Sequence, residues 1–193
     1  MSPMRLHRTI SSDLPLLVVA LEEEAAHLHI TELPILVTGV GKVNAAIAVA
    51  TILGAHSPKE IVNLGTAGSL HDDFVGTHVI SLVTQHDLDD EAIFDLVGLH
   101  FGESINLGGA GLTLTTGDSF IADQAKREEL AQHAHLVDME GYAVAKAAQV
   151  AGVPVRLVKR VSDTANEPAG KTWKESVDDC SEHLGLWVRE FLL

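Results

Sequence analysis

Short runs of β-branched and aliphatic residues alternate with alanine-rich stretches whose apolar positions repeat at helical spacing. That alternation is the mark of an α/β layer fold with a sheet buried on both faces. It predicts strands at 14–20, 35–38, 60–66, 78–84, 112–116, 136–139 and 155–161. Helices are predicted at 42–53, 122–133, 140–150 and near 172–192, with Pro58 and Pro154 breaking the chain just before two of the strands. Residues 86–111 form the least regular stretch, opening with acids and closing on Gly108, Gly109 and Gly111, and are expected to be a loop or hairpin beside the active edge. The expected architecture is a three-layer α/β fold, a single domain over 1–193 with a central mixed, mostly parallel twisted sheet flanked by helices.

Composition narrows the function. Thirteen Lys and Arg stand against 27 Asp and Glu, a net charge of −14, and no basic run relieves it, so nucleic acid is not an expected partner. Hydrophobic residues make up 46% and aromatics 4%, so the core is built from Ala, Val, Leu and Ile, and disorder is excluded as the main state. The longest apolar run, 14–21, contains Pro15 and falls short of the roughly 18–20 residues a membrane span needs. The first residues lead into Ser11, Ser12 and Asp13 instead of a leader's apolar core. The single cysteine, Cys180, has no partner for a disulfide within the chain. A soluble cytoplasmic protein is the expectation.

Two glycine motifs sit at predicted strand ends. Gly39-Val40-Gly41-Lys42-Val43-Asn44 leads from a strand into a helix, where backbone N–H groups can approach an anion. It is not a dinucleotide fingerprint, because Asn44 takes the third glycine's place and no acidic residue ends a second strand about 20 residues on. Gly65-Thr66-Ala67-Gly68 reads as a second turn at a strand exit. The acidic run His86-Asp87-Leu88-Asp89-Asp90-Glu91 offers metal-ligand types without a metal-ligand spacing, and reads as a solvated loop. Carboxylates recur at strand ends: Glu22, Glu23 and Glu24, then Glu140, then Asp163. Helix capping accounts for any one of them. Three strand exits with acids, beside two glycine motifs, point to one shared ligand crevice.

In that order, Ala20-Leu21-Glu22-Glu23-Glu24, Gly39 to Ala46, Gly65-Thr66-Ala67-Gly68, Gly117-Asp118-Ser119-Phe120-Ile121, Asp138-Met139-Glu140-Gly141 and Val161-Ser162-Asp163-Thr164-Ala165 resemble the purine nucleoside phosphorylase and nucleosidase superfamily. Within it they are most like the methylthioadenosine/S-adenosylhomocysteine nucleosidases. The resemblance implies a nucleoside phosphorylase/hydrolase-like fold and a homodimer. It implies that Asp163 protonates the purine at N7, that Glu140 holds the ribose hydroxyls and that Glu24 positions the attacking water. Thr66 falls at the water site, Phe120 where a ring stacks on the base, Ile121 where backbone groups read the base edge, and Met139 beneath the ribose. Leu21 stands where the family has methionine, and Lys159 where it has arginine four residues before the aspartate. The stretch from His86 to Gly117 is shorter than in typical members.

The chemistry suits these residue types independently. Cleaving an N-ribosidic bond builds positive charge on the sugar and negative charge on the departing base, so it calls for an acid at the base and a carboxylate near the sugar. A free aspartic acid has a pKa of about 3.9, so Asp163 needs burial or a hydrogen bond from Ser162 to keep its proton. A phosphorylase would need arginines to hold phosphate, whereas this chain carries Asn63 and a Glu-Glu-Glu run at the matching places, which favours water. The expected activity is hydrolysis of a purine nucleoside, a 5′-modified adenosine, to the free base. The alternatives are a phosphorylase and a non-catalytic nucleoside-binding protein. The expected partner is a small-molecule nucleoside, with no membrane and no cofactor, because proton transfer and a held water suffice without a metal.

Overall fold

The computed structural model describes residues 4–163 and 173–193, the side chains of residues 163 and 173–175 excepted. The first predicted strand, at 14–20, tells most about the layering. As β2 (Leu16–Val19) it is wholly buried, and its alternate residues face opposite ways. Leu16 and Val18 pack with Ala45, Ala48 and Val49 of α2 (Lys42–Leu53) and with Val144 and Ala148 of α5 (Gly141–Ala151). Leu17 and Val19 pack on the other side with Ala25 of α1 (Glu22–Ala25) and with Leu184 and Val188 of α6 (Trp173–Phe191). Burying each such side chain is worth about 1.5–3 kcal/mol, so this two-sided strand anchors helices on both faces. α6 turns Val177, Cys180, Ser181, Leu184 and Val188 inward at helical spacing, leaving its other face to solvent.

The remaining strands are β1 (Arg5–His7), β3 (Ile35–Val37), β4 (Ile61–Ser69), β5 (Thr77–Gln85), β6 (Ile105–Asn106), β7 (Leu112–Thr116), β8 (Leu136–Asp138) and β9 (Val155–Asp163). They form one sheet in the order β1-β3-β2-β4-β8-β7-β5-β6, with β9 bridging β4 and β5. Five pairings are parallel and four antiparallel, so the sheet is mixed with the parallel ones only slightly ahead. The pairs β4–β9, β9–β5, β5–β7, β7–β8 and β8–β4 close a ring, a curvature that hydrophobic alternation does not encode.

Every predicted strand and helix lies at its expected place within a few residues; the start of the last helix, Thr172, lies outside the described residues. Three expectations change. Gly65 and Gly68 do not leave the strand: β4 runs through both and on to Ser69, paired with β9 as far as Gly68 opposite Asp163. The 86–111 stretch, expected as a loop or hairpin, does return antiparallel to β5 as β6, but it holds α3 (Asp90–Val97) before that. α3 buries no residue; Asp89 caps it by accepting from Ala92 N at 3.1 Å, and Gly98 ends it at φ 72°. β1, α1 and a 3-10 turn at His29–Thr31 also lie outside the predicted elements, each too short to set up a period.

Candidate active site

The ends of β2, β4, β8 and β9 meet the turn after β7 around a cavity of about 180 Å³. Leu21, Glu24, Thr66, Phe120, Ile121, Met139, Glu140 and Ser162 all line it. These are eight of the nine site residues expected from sequence. The ninth, Asp163, ends β9 opposite Gly68, and its side chain lies outside the described residues.

Glu24 is buried in the floor because the chain turns into α1 directly after β2. One carboxylate oxygen accepts from the backbone N–H groups of Ala20 at 3.0 Å and Leu21 at 3.2 Å. The other accepts from Thr66 N at 3.0 Å and the Thr66 hydroxyl at 3.3 Å. Gly65 makes this possible: a Cβ there would stand 3.1 Å from the Glu24 carboxylate and 3.5 Å from the Lys159 ammonium. Ser181 of α6 donates to the Glu24 carbonyl at 2.8 Å and ties the turn to the outer helix layer.

Beneath the cavity, Lys159 is buried and its Nζ lies 2.9 Å from Asp138 Oδ2. The same carboxylate accepts from Gly141 N at 2.8 Å and from the Thr116 hydroxyl at 2.6 Å. Burial opposes the charge on Lys159, but Asp138, Glu140 and Glu24 outweigh it and raise its pKa, keeping the ammonium charged. Sequence reasoning gave neither Asp138 nor Lys159 this role. Asp138 belonged to a quoted motif without an assigned job, and only strand order brings the two together. Lys159 thus occupies the arginine position of the resemblance as the cation of a buried ion pair.

Glu140 sits before α5 and accepts from Gly41 N at 2.8 Å. Gly41 has φ 95°, a conformation open to glycine, and it turns its N–H toward the carboxylate. The group served by the first glycine motif is therefore, in this structure, the chain's own Glu140. Burial and then the nearby Asp138 push the Glu140 pKa from 4.5 up to about 8, while Lys159 and the Gly41 N–H pull it down. Asp118 accepts from Lys42 N at 2.7 Å, so the second amide at the start of α2 is also taken. The acidic run divides its carboxylates among separate duties. Asp87 pairs with Lys42, Asp89 caps α3, and Asp90 accepts from Phe101 N and Gly102 N and pairs with His100.

The arrangement offers the buried Glu24 carboxylate with a hydroxyl beside it, the half-buried Glu140 carboxyl, and an exposed aromatic ring, Phe120, over the opening. Among the described residues no Lys or Arg lines the cavity.

A family model for the phosphorylase superfamily matches residues 12–106 and 111–192. The 5′-methylthioadenosine/S-adenosylhomocysteine nucleosidase of Staphylococcus carnosus is 30% identical over 190 residues, covering 83% of this chain and 81% of the relative. The protein of the same name from Chromohalobacter salexigens is 27% identical over 192 residues, covering 85% and 80%. Among solved structures, S-adenosylhomocysteine nucleosidase from Streptococcus pyogenes in complex with 5-methylthiotubericidin superposes with a TM-score of 0.78 at 23% identity, covering 96% of this chain and 100% of that one. Futalosine hydrolase of Helicobacter pylori superposes with a TM-score of 0.81 at 20% identity, covering 92% and 96%. Both share this fold.

Proposed function

The chain belongs to the phosphorylase superfamily, and from that premise we propose that it is an N-glycosyl hydrolase that cleaves a purine nucleoside, a 5′-modified adenosine, to the free base and the sugar. The observation that carries this reading is the Glu24 carboxylate, buried in the cavity floor and held by four donors beside Thr66, with no cation lining the cavity among the described residues. A cavity walled by carboxylates repels phosphate and suits a neutral nucleophile.

In the proposed reaction the electron pair of the C1′–N9 bond leaves with the base, whose N7 takes the proton of Asp163. The water oxygen bonds to C1′ and its proton passes to Glu24. Glu140 and Met139 hold the ribose, Phe120 stacks on the base, and the backbone at Ile121 reads its edge. Thr66 lines the water site and Ser162 supports the proton on Asp163. Leu21 packs against the substrate at the mouth of the cavity. Adenine release from methylthioadenosine would place the chain in methionine salvage, and the cytoplasm is the compartment we assign. We assign a homodimer as well, supported by the apolar face of α2, where Val43 and Ile47 are more than half exposed beside a groove of about 750 Å³ shared with α5. Light scattering on the eluting protein tests it, and a monomer at all concentrations would sink it.

The test of the activity is purine release from methylthioadenosine, S-adenosylhomocysteine, 5′-deoxyadenosine, adenosine, inosine and futalosine, with and without phosphate. Release independent of phosphate, lost in Asp163→Asn, is the expected result. Strict dependence on phosphate would mean a phosphorylase. Tight nucleoside binding without release would mean a binding protein.

A further inference from the structure

On the outer edge of the sheet, three short elements bring together residues that are far apart in sequence. His7 ends β1, Glu22 opens α1 and His29 opens the 3-10 turn. One imidazole nitrogen from each histidine and a Glu22 carboxylate oxygen all lie within 4.8 Å of one another. His7 Nε2 is 3.1 Å from both carboxylate oxygens, and the two imidazole rings meet edge to face with centroids 4.9 Å apart. All three residues are half-buried.

We propose that His7, Glu22 and His29 bind a divalent transition-metal ion of the zinc class, with water completing the coordination. Two imidazoles and one carboxylate are the donor set of such ions and a poor one for Mg²⁺ or Ca²⁺, which take oxygen ligands. Ligand atoms about 2.0–2.2 Å from a tetrahedral ion stand roughly 3.3–3.6 Å from each other. His7 and Glu22 are already that close, and His29 needs a side-chain movement on the order of 1 Å to join them.

The backbones that carry the ligands are fixed. His7 is paired across the sheet with Ile35. The Arg8 guanidinium donates to the carbonyls of Leu33 and His29, and Thr31 closes the 3-10 turn by donating to Leu28 O at 2.7 Å. The competing cation is Arg5, whose guanidinium lies 3.4 Å from Glu22 but is 69% exposed and free to swing into water when a metal arrives. The ion would tie strand β1 to the turn that carries Glu24, a structural role separate from the proposed hydrolysis.

The experiment uses the tag-free full chain, freed of metal by chelator and then incubated with Zn²⁺ or Co²⁺. Metal retained after desalting is measured by mass spectrometry, and the Co²⁺ form is examined for the visible absorption of a low-symmetry site. One ion per chain, unaffected by excess Mg²⁺ and absent from His7→Ala/His29→Ala, is the expected result. A milder variant, His29→Gln, should weaken retention and alter the Co²⁺ spectrum even if the double variant folds poorly. Purine release without added metal should be the same in wild type and variants. No retained metal in the wild type, or equal retention in wild type and the double variant, would overturn the proposal. In that case the cluster is only a histidine–carboxylate ion pair.

Discussion

The floor and the rim of the cavity are built on different principles. On the floor, Glu24, Asp138 and Lys159 are buried; Glu24 and Asp138 are each held by donors from two or more elements, and Lys159 pairs with Asp138. On the rim, Phe120 is 60% exposed and Val40 and Ser119 are also exposed. The floor fixes charges at known places in a medium where they interact strongly, and it does so with strands that cannot shift singly. The rim leaves its side chains room to adapt to a ligand. Chemistry is thus assigned to the floor and selection among substrates to the rim, and each half of that division can be broken separately.

The largest effect is expected at Glu24. In Glu24→Gln one half of the side chain becomes an NH₂ group facing donors, and the base proposed for water is lost. We expect kcat to fall about a thousandfold with KM little changed and the fold retained. Steady-state kinetics with circular dichroism checks it, and near-normal kcat in a folded variant would remove Glu24 from the chemistry. Next comes Lys159→Met, which leaves Asp138 buried without its cation. A loss of about 3 kcal/mol is expected, read as a lower urea midpoint. An unchanged midpoint would mean that the two donors remaining on Asp138, Gly141 N and Thr116, suffice to hold the floor.

How far the sequence revealed this division follows from the range of each interaction. The α2 boundaries were readable because a glycine turn precedes Lys42 and a glycine follows Leu53. The strands were readable because β-branched runs stand apart from alanine-rich ones. The continuation of β4 through Gly65 and Gly68 was not, since glycine read along a chain marks a turn, and only the fold shows the Glu24 carboxylate 3.1 Å from where a Cβ on Gly65 would stand. Asp138 and Lys159 stayed hidden for a similar reason: β8 and β9 each pair with β4, and nothing local to either residue says so. α3 was missed because none of its apolar residues is buried, Phe94, Leu96 and Val97 being exposed.

A third test lies in the pH dependence of stability. With the Glu140 pKa raised from 4.5 to about 8, the folded chain keeps a proton that the unfolded chain releases across that interval. The contribution is fully present below about pH 4.5 and is lost as pH rises through 8. Glu140→Gln can keep the Gly41 contact and does not titrate. Between pH 5 and pH 8 the wild type should therefore lose on the order of 3–4 kcal/mol relative to the variant. Urea unfolding of both proteins at the two pH values gives the difference directly, and parallel behaviour would show that Glu140 is not held protonated in the floor.

The smallest effect belongs to the rim, and it is the sharpest test of the division. Stacking of a base on an aromatic ring is worth about 1–3 kcal/mol by alanine substitution. Phe120 is largely exposed before a ligand arrives, so Phe120→Ala leaves the fold nearly untouched. The expected outcome is a KM raised about tenfold with kcat within about threefold of wild type, since the stacking is present equally in the bound ground state and the transition state. The loss should be shared by adenine and hypoxanthine nucleosides, because every purine offers the ring the same π-face. If kcat fell instead while KM held, Phe120 would be shaping the departing base in the transition state, and the rim would belong to the catalytic machinery that the floor was argued to supply alone.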